Sequence, residues 1–294
     1  MSNPPLTKRS LQAAIAPAGF VHTVQYHASI GSTMDAARDL LQQQPACCFP
    51  ALIVSDEQTA GRGRQGRRWL APPGTALLLS LALRPHWLAP HQGVVLVWLL
   101  SVALCEAVEQ ITPLRSGLKW PNDLLLQVKN SEGEGETIPP PPHPTPNFQQ
   151  HSTLRLPPHW AKAAGILLEV NLSSERIEWA ILGCGINVSA APPPDTTPYP
   201  TTSLAAAGGP VERLTLLAAL IERIAAWHER LAAGEHAALF SAWRSRLVTL
   251  GHAVQVSTPD GPLNGYASDV TPDGSLLVRD AAGRVHAIAT GDVS

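Results

Sequence analysis

Lysine is nearly missing from this chain. Of 21 basic residues only four are lysines, Lys8, Lys119, Lys129 and Lys162, and arginine supplies the rest. Either residue can serve as an ordinary surface cation, so each of the few lysines needs its own explanation. Net charge is scarce as well: a formal −2 over 294 residues argues against a general nucleic-acid binder and leaves room for a local basic patch. The four cysteines, Cys47, Cys48, Cys105 and Cys184, lack C-x-x-C spacing. That excludes a zinc ribbon or disulfide framework as a reading and predicts reduced thiols in a cytoplasmic protein. The 11 histidines form no H-E-x-x-H pair, so no tightly bound structural metal is expected. The longest apolar run, Val94 to Cys105, has 12 residues with Ser101 as its one interruption. It suits a buried helix and is short for a bilayer span. Met1-Ser-Asn-Pro-Pro5 shows no charged-then-apolar signal pattern, so no membrane partner is expected.

What is present is an apolar fraction of 45%, enough for one large domain and a small one. A lead over residues 1–20 precedes a strand-like stretch, Val21 to Tyr26. Met34 to Gln43 reads as a helix with Ser32 or Thr33 as N-cap. Ala51 to Ser55, Ala76 to Leu83, Leu124 to Val128, Ala163 to Asn171 and Trp179 to Asn187 read as strands. Gln92 to Ile111 reads as a core helix, and Leu214 to Ala232 and His236 to Leu247 as amphipathic helices. Residues 129–160, with Pro139 to Pro142 and few large apolar groups, predict a disordered insertion. Pro192 to Pro200 reads as an irregular loop. Past Gly251 the texture changes to short strands punctuated by Pro-Asp-Gly turns, a small all-β module over 249–294 that follows a domain spanning 21–248.

Between two predicted strands lies a basic loop, Gln58-Thr-Ala-Gly-Arg-Gly-Arg-Gln-Gly-Arg-Arg-Trp69. Gly61, Gly63 and Gly66 satisfy G-x-G-x-x-G, yet the dinucleotide reading fails on context. That fingerprint must open a helix whose N-terminus receives the pyrophosphate, and here Pro72, Pro73 and Gly74 follow instead. The loop offers Arg62, Arg64, Arg67 and Arg68, whose guanidinium forks match phosphate oxygens. A solvated basic loop touching RNA is the plain alternative.

Three further motifs bear on the choice: Lys119-Trp-Pro-Asn-Asp123, Lys162-Ala-Ala-Gly165 and Gly183-Cys-Gly-Ile-Asn187. With Gly31-Ser-Thr33 and the glycine-rich loop, in this order, the chain resembles the biotin–protein ligases from Val21 to Leu247. Its C-terminal module is similar to that family's SH3-like domain. The resemblance implies an α+β fold: a mixed, seven-stranded sheet with helices, like that of class II aminoacyl-tRNA synthetases, followed by a small SH3-like β-barrel. It implies activation of biotin by MgATP as biotinyl-5′-AMP, then transfer to a lysine of the biotin carboxyl carrier domain of a carboxylase. Biotin, ATP and Mg²⁺ enter as substrates, with no tightly bound protein cofactor, and the enzyme is a monomer or homodimer.

By the same resemblance, Lys162 and Arg64 are catalytic. Lys162 lies beside the biotin carboxylate and the reacting phosphate, and Arg64 retains the adenylate. A carboxylate must approach a phosphate of like charge, which makes cations between them a chemical necessity. Ser32, Thr33, Met34, Gln58, Gly61, Arg62 and Gly63, with Arg64 and Lys162, fall at biotin-binding positions. Arg64, Arg67, Trp69, Lys119, Asn122 and Asn187 fall at ATP positions, and Asp123 at the Mg²⁺ contact. Each has a plain alternative. Ser32 and Thr33 would cap a helix anyway, Asp123 and Asn187 suit turns, and Lys119 would suit a surface pair with Asp123. Lys162 is harder to dismiss, because a lysine entering an apolar strand is costly without a partner.

Three departures matter. Met34 stands where the family usually has Asn, predicting a lost polar contact. A long stretch separates Asp123 from Lys162 where the family has a short hairpin. The residues before the first strand do not fit a winged-helix DNA-binding domain, so a ligase without repressor function or DNA partner is expected, and specific operator binding in a gel shift would overturn that. The rival enzyme of the same fold is a lipoate or octanoate ligase or transferase. It shares the K-x-x-G lysine, whereas Gly61 to Gly66 and Lys119 to Asp123 favour biotin.

Overall fold

The computed structural model describes residues 5–128, 159–193, 199–258 and 261–293. Seven strands form one sheet: β1 (Thr23–His27), β2 (Ala51–Ser55), β3 (Ala76–Leu83), β4 (Ser116–Lys119), β5 (Asp123–Gln127), β6 (Trp160–Leu172) and β7 (Ile177–Asn187). Their spatial order is β1-β2-β3-β7-β6-β5-β4. Only β1 and β2 run parallel among these neighbours, so the sheet is mixed, as expected.

Helices cover both faces, and this explains why β2 and β3 are apolar at nearly every position rather than at alternate ones. On one face, α2 (Thr33–Gln43) sets Met34, Ala37, Leu40 and Leu41 against Ala51, Ile53, Ala82 and Ile181. The intervening residues Leu52, Val54, Leu77, Leu79 and Leu81 point the other way, into the core built with α3 (Val94–Ile111) and α5 (Arg213–Ala232). Each fully buried leucine contributes roughly 1.5–3 kcal/mol. The apolar run thus belongs to an 18-residue helix, long and apolar enough to cross a membrane but mostly buried in the core.

The predicted elements recur with small shifts at their ends, and Ser32 is the N-cap of α2, accepting from the Met34 amide at 3.3 Å. Three elements were not predicted. The 1–20 lead carries α1 (Lys8–Ile15), capped by Thr7 and Ser10 and buried through Leu11 and Ile15. It is an integral part of the domain rather than a tail. Strand β4 and the short α4 (Leu204–Gly208) were the others, both too brief to show a period. Of the predicted insertion, 129–158 lies outside the described residues, and Trp160 at its end is instead the first residue of β6.

After α6 (His236–Ser245) come β8 (Ala253–Thr258), β9 (Gly261–Val270), β10 (Leu276–Arg279) and β11 (Val285–Ile288). They form an antiparallel sheet ordered β11-β10-β9-β8, with Val293 bridging to Val256 beside β8. The turn before β10 docks this module on the large domain. Trp120 Nε1 donates to the Gly274 carbonyl at 2.9 Å. Gly274 has φ +85°, and a Cβ there would come within 2.8 Å of the Trp98 ring. Glycine is therefore required twice over, by backbone conformation and by contact.

Candidate functional site

A cavity of about 380 Å³ opens between the sheet and the glycine-rich loop. Its floor is set by the glycines of β6 and β7. A Cβ on Gly185 would lie 2.4 Å from the Trp69 indole and one on Gly165 3.2 Å from it, so the ring rests against both strands. Gly183 does the same for Met34, whose Sδ would be 2.7 Å from a Cβ. The motifs K-x-x-G and G-x-G thus act partly by subtraction, clearing a floor for side chains that arrive from elsewhere.

The loop that roofs the cavity is a narrow ribbon. Trp69 N donates to Gly61 O at 3.0 Å and Gly63 N to Arg67 O at 2.7 Å, and a single 3₁₀ turn closes it at Arg64–Gly66. No helix follows, in agreement with the rejection of the dinucleotide fingerprint. Gly61, expected at a biotin-binding position, is held by the return limb of the ribbon. A Cβ there would meet the Trp69 carbonyl at 2.7 Å, so its work is to let the ribbon close and place Trp69.

At one end of the cavity the polar groups already satisfy one another. Thr33 N and Oγ1 both donate to Gln58 Oε1, at 2.8 and 3.1 Å, and Thr33 Oγ1 lies 2.8 Å from Ser80 Oγ. With its oxygen so engaged, Gln58 keeps its NH₂ as the donor of its amide. Met34 adds an apolar wall here; its side chain joins the core rather than replacing the polar contact of an asparagine.

The opposite end is charged. Lys162 Nζ pairs with Asp123 Oδ1 at 2.7 Å, and lies 3.4 Å from the Tyr199 hydroxyl. Burial pushes the Lys162 ammonium toward neutrality, but the Asp123 carboxylate and the Tyr199 oxygen outweigh it, and the net shift is upward. Lys162 enters with a cation firmly held. The segment that brings Tyr199 is fixed by backbone bonds on both sides of Lys162, from Lys162 N to Pro200 O at 2.8 Å and from Thr202 N to Lys162 O at 2.9 Å. Asn187, 1% exposed, gives its Nδ2 to Thr202 O at 3.1 Å. Its Oδ1 has no hydrogen-bond partner among the described residues, and neither does Trp69 Nε1.

The four loop arginines divide sharply. Arg62 makes a two-pronged contact to Asp35, at 2.8 and 2.9 Å. Arg67 is paired with Asp292 of the C-terminal module. Arg68 donates to the Thr59 carbonyl at 2.8 Å. Arg64 donates to a neutral acceptor, Asn122 Oδ1, at 3.2 Å, and no carboxylate pairs with it among the described residues. It therefore keeps its charge for an incoming anion in the cavity that Lys162 also lines.

Lys119 departs from its reading as a surface cation. It is 1% exposed, which excludes a surface pair, and it stands behind the cavity wall rather than in it. Its Nζ lies 4.0 Å from the Tyr199 ring centre and 4.0 Å from Asp292 Oδ1, with no hydrogen bond among the described residues. Burial pushes its ammonium below the usual lysine range. Asp123, expected at the Mg²⁺ contact, is paired with Lys162. No group of three or more His, Cys, Asp or Glu that could hold a metal occurs among the described residues. Tyr199 and Asp292 were not anticipated. Tyr199 sits in a stretch that reads only as irregular loop, and Asp292 belongs to another module, so no local pattern marks either.

A mixed sheet floored with glycines, a basic loop above it and a lysine–carboxylate pair at one end define a ligase-type catalytic domain, followed by a small antiparallel module. Residues 26–187 match the Biotin/lipoate A/B protein ligase family and residues 249–294 the Biotin protein ligase C terminal domain. A biotin--[acetyl-CoA-carboxylase] ligase from Mycobacterium tuberculosis is 31% identical, over 99% of this chain and 96% of that protein. The bifunctional ligase/repressor BirA of Bacillus subtilis is 26% identical, over 88% of this chain and 70% of its own length. The biotin protein ligase of Aquifex aeolicus, solved with biotin and ATP, superposes with a TM-score of 0.67 at 23% identity, covering 92% of this chain and 97% of that one. The chain belongs to the Biotin/lipoate A/B protein ligase family.

Proposed function

We propose that this protein activates biotin with MgATP and transfers it to one lysine of a biotin carboxyl carrier domain in the cytoplasm. A biotin carboxylate oxygen attacks the α-phosphorus, forming biotinyl-5′-AMP and releasing pyrophosphate. The neutral amine of the carrier lysine then attacks the acyl carbon, forming an amide and releasing AMP and a proton. The observation that carries this reading is that two cations line one cavity: Lys162, half-buried and held protonated by Asp123, and Arg64, without a carboxylate partner among the described residues. They offer the compensation that a carboxylate approaching a phosphate requires.

Ser32, Thr33 and Gln58 would take the ureido head, which would lose affinity if buried unpaired. Trp69, Asn122 and Asn187 would take the nucleotide, with Asn187 Oδ1 and Trp69 Nε1 available as unspent polar atoms. Arg67 and Lys119 would act behind them, through Asp292 and Tyr199. Mg²⁺ would arrive on the phosphates, since it favours few carboxylates with phosphate and water, and Asp123, which lines the cavity together with Asp292, would be the carboxylate that meets it.

Purified protein with biotin, MgATP and a carrier domain should add the mass of one biotin to one carrier lysine. An unmodified carrier, or one modified by lipoate or octanoate in place of biotin, would overturn the assignment.

A further inference from the structure

Two carboxylates beside the loop belong to none of the motifs that carry the chemistry. Asp35 lies in the first turn of α2, where an acidic side chain is stabilised by the helix N-terminus in any case. Glu169 lies on β6 two residues beyond Leu167, which packs on the α2 face of the sheet. The period of two places Glu169 on that same face. Arg38, one turn along α2, joins them, bonding Asp35 at 2.8 Å and also Glu169. Arg62 enters this cluster from the loop, gripping Asp35 with both terminal nitrogens and reaching Glu169 at 3.6 Å. Two arginines and two carboxylates close a neutral ring that joins three separate elements.

We propose that Asp35 and Glu169 are positioning residues which, braced by Arg38, pin Arg62 and hold the glycine-rich loop closed over the cavity. A single exposed ion pair would hold very little. Here the geometry is two-pronged, which is the favourable case for arginine and carboxylate, and Arg38 fixes both acceptors before the loop arrives. The Arg62 guanidinium strengthens its own site further, holding the Asp35 carboxyl below the usual aspartate range. The loop itself is rich in glycine, so its closed form is costly in conformational freedom and a modest tether shifts its population. The tether also separates functions within the loop: Arg62 holds the roof while Arg64 faces the anion. This assignment rests on the function proposed above, but its test does not depend on catalysis.

The loop carries four arginines, so trypsin reports its opening directly. Asp35→Asn with Glu169→Gln should raise the rate of cleavage within 62–68 about tenfold, with an unchanged thermal midpoint showing that the fold is kept. Asp35→Glu, which preserves the charge, should restore much of the protection. Wild-type cleavage should accelerate between low and high salt, and the double variant should show little such change. In the ligase assay the double variant should raise the biotin KM about tenfold and leave kcat within twofold. Wild-type cleavage rates in the double variant would overturn the tether whatever the ligase assay shows. Absence of ligase activity in the wild type would overturn the proposed function and leave the cleavage result standing.

Discussion

The two ends of the cavity solve opposite problems. At the Thr33 end the polar atoms are already paired with one another, Thr33 with Gln58 and Ser80, before any ligand arrives. At the Lys162 end several are held back: Asn187 Oδ1, Trp69 Nε1 and Lys119 Nζ are buried without hydrogen-bond partners among the described residues. The first end is preorganised and inexpensive to maintain. The second carries a standing cost, since a buried polar atom left unpaired costs about 1–3 kcal/mol. Recognition can be built from satisfied groups, whereas the charged end keeps polar atoms without a partner until a ligand supplies one.

The comparison breaks most visibly at Lys162. Lys162→Ala should lower biotin-dependent pyrophosphate exchange by about 10²–10³-fold, the scale for removing one electrostatic contact to a developing charge. Biotin binding measured by calorimetry should weaken far less. An equal loss in both would place Lys162 in ground-state binding and remove the division between the two ends.

Lys119 tests the cost. Replacing a buried ion by an apolar side chain of similar length is often neutral or stabilising. Lys119→Met should therefore raise stability by about 1 kcal/mol, or roughly 2–4 °C in thermal midpoint, while the KM for ATP rises. The sign with pH follows from its lowered ammonium pKa. In the native state Lys119 gives up its proton earlier than in the unfolded chain, so wild-type stability climbs as pH rises through the native value toward 10.5,. The advantage of the Met variant should be greatest near neutrality and shrink as pH approaches 10. A constant advantage across that range would mean that packing, not charge, is responsible.

These two lysines also show what could be read from sequence. Their rarity and their motifs marked both, and β5 and β6 beside them were predicted within a few residues, because long apolar runs and glycine turns are local signals. The inward position of Lys119 was not legible, since β4 is four residues long and its burial comes from β5 and the C-terminal module. Asp292 and Tyr199 reach the site by tertiary contact alone. The partners of Arg62, Asp35 and Glu169, were not legible either, since they come from α2 and β6, and neither was the close approach of Trp69 to Gly61.

The smallest expected effect is at the preorganised end. Thr33→Val keeps the shape and the backbone amide that donates to Gln58 Oε1 at 2.8 Å, and removes only the hydroxyl that joins Gln58 to Ser80. Ser80 is itself fully buried, so its hydroxyl loses a partner it cannot replace with water. One lost bond of this kind is worth about 1 kcal/mol, giving a biotin Kd raised roughly five- to tenfold by calorimetry. The KM for ATP should stay within twofold, because nothing at the Lys162 end depends on this hydroxyl. If biotin and ATP weakened together, the two ends would be mechanically coupled through the loop rather than independent, and the closed loop, not the local hydrogen bonds, would be the unit that binds.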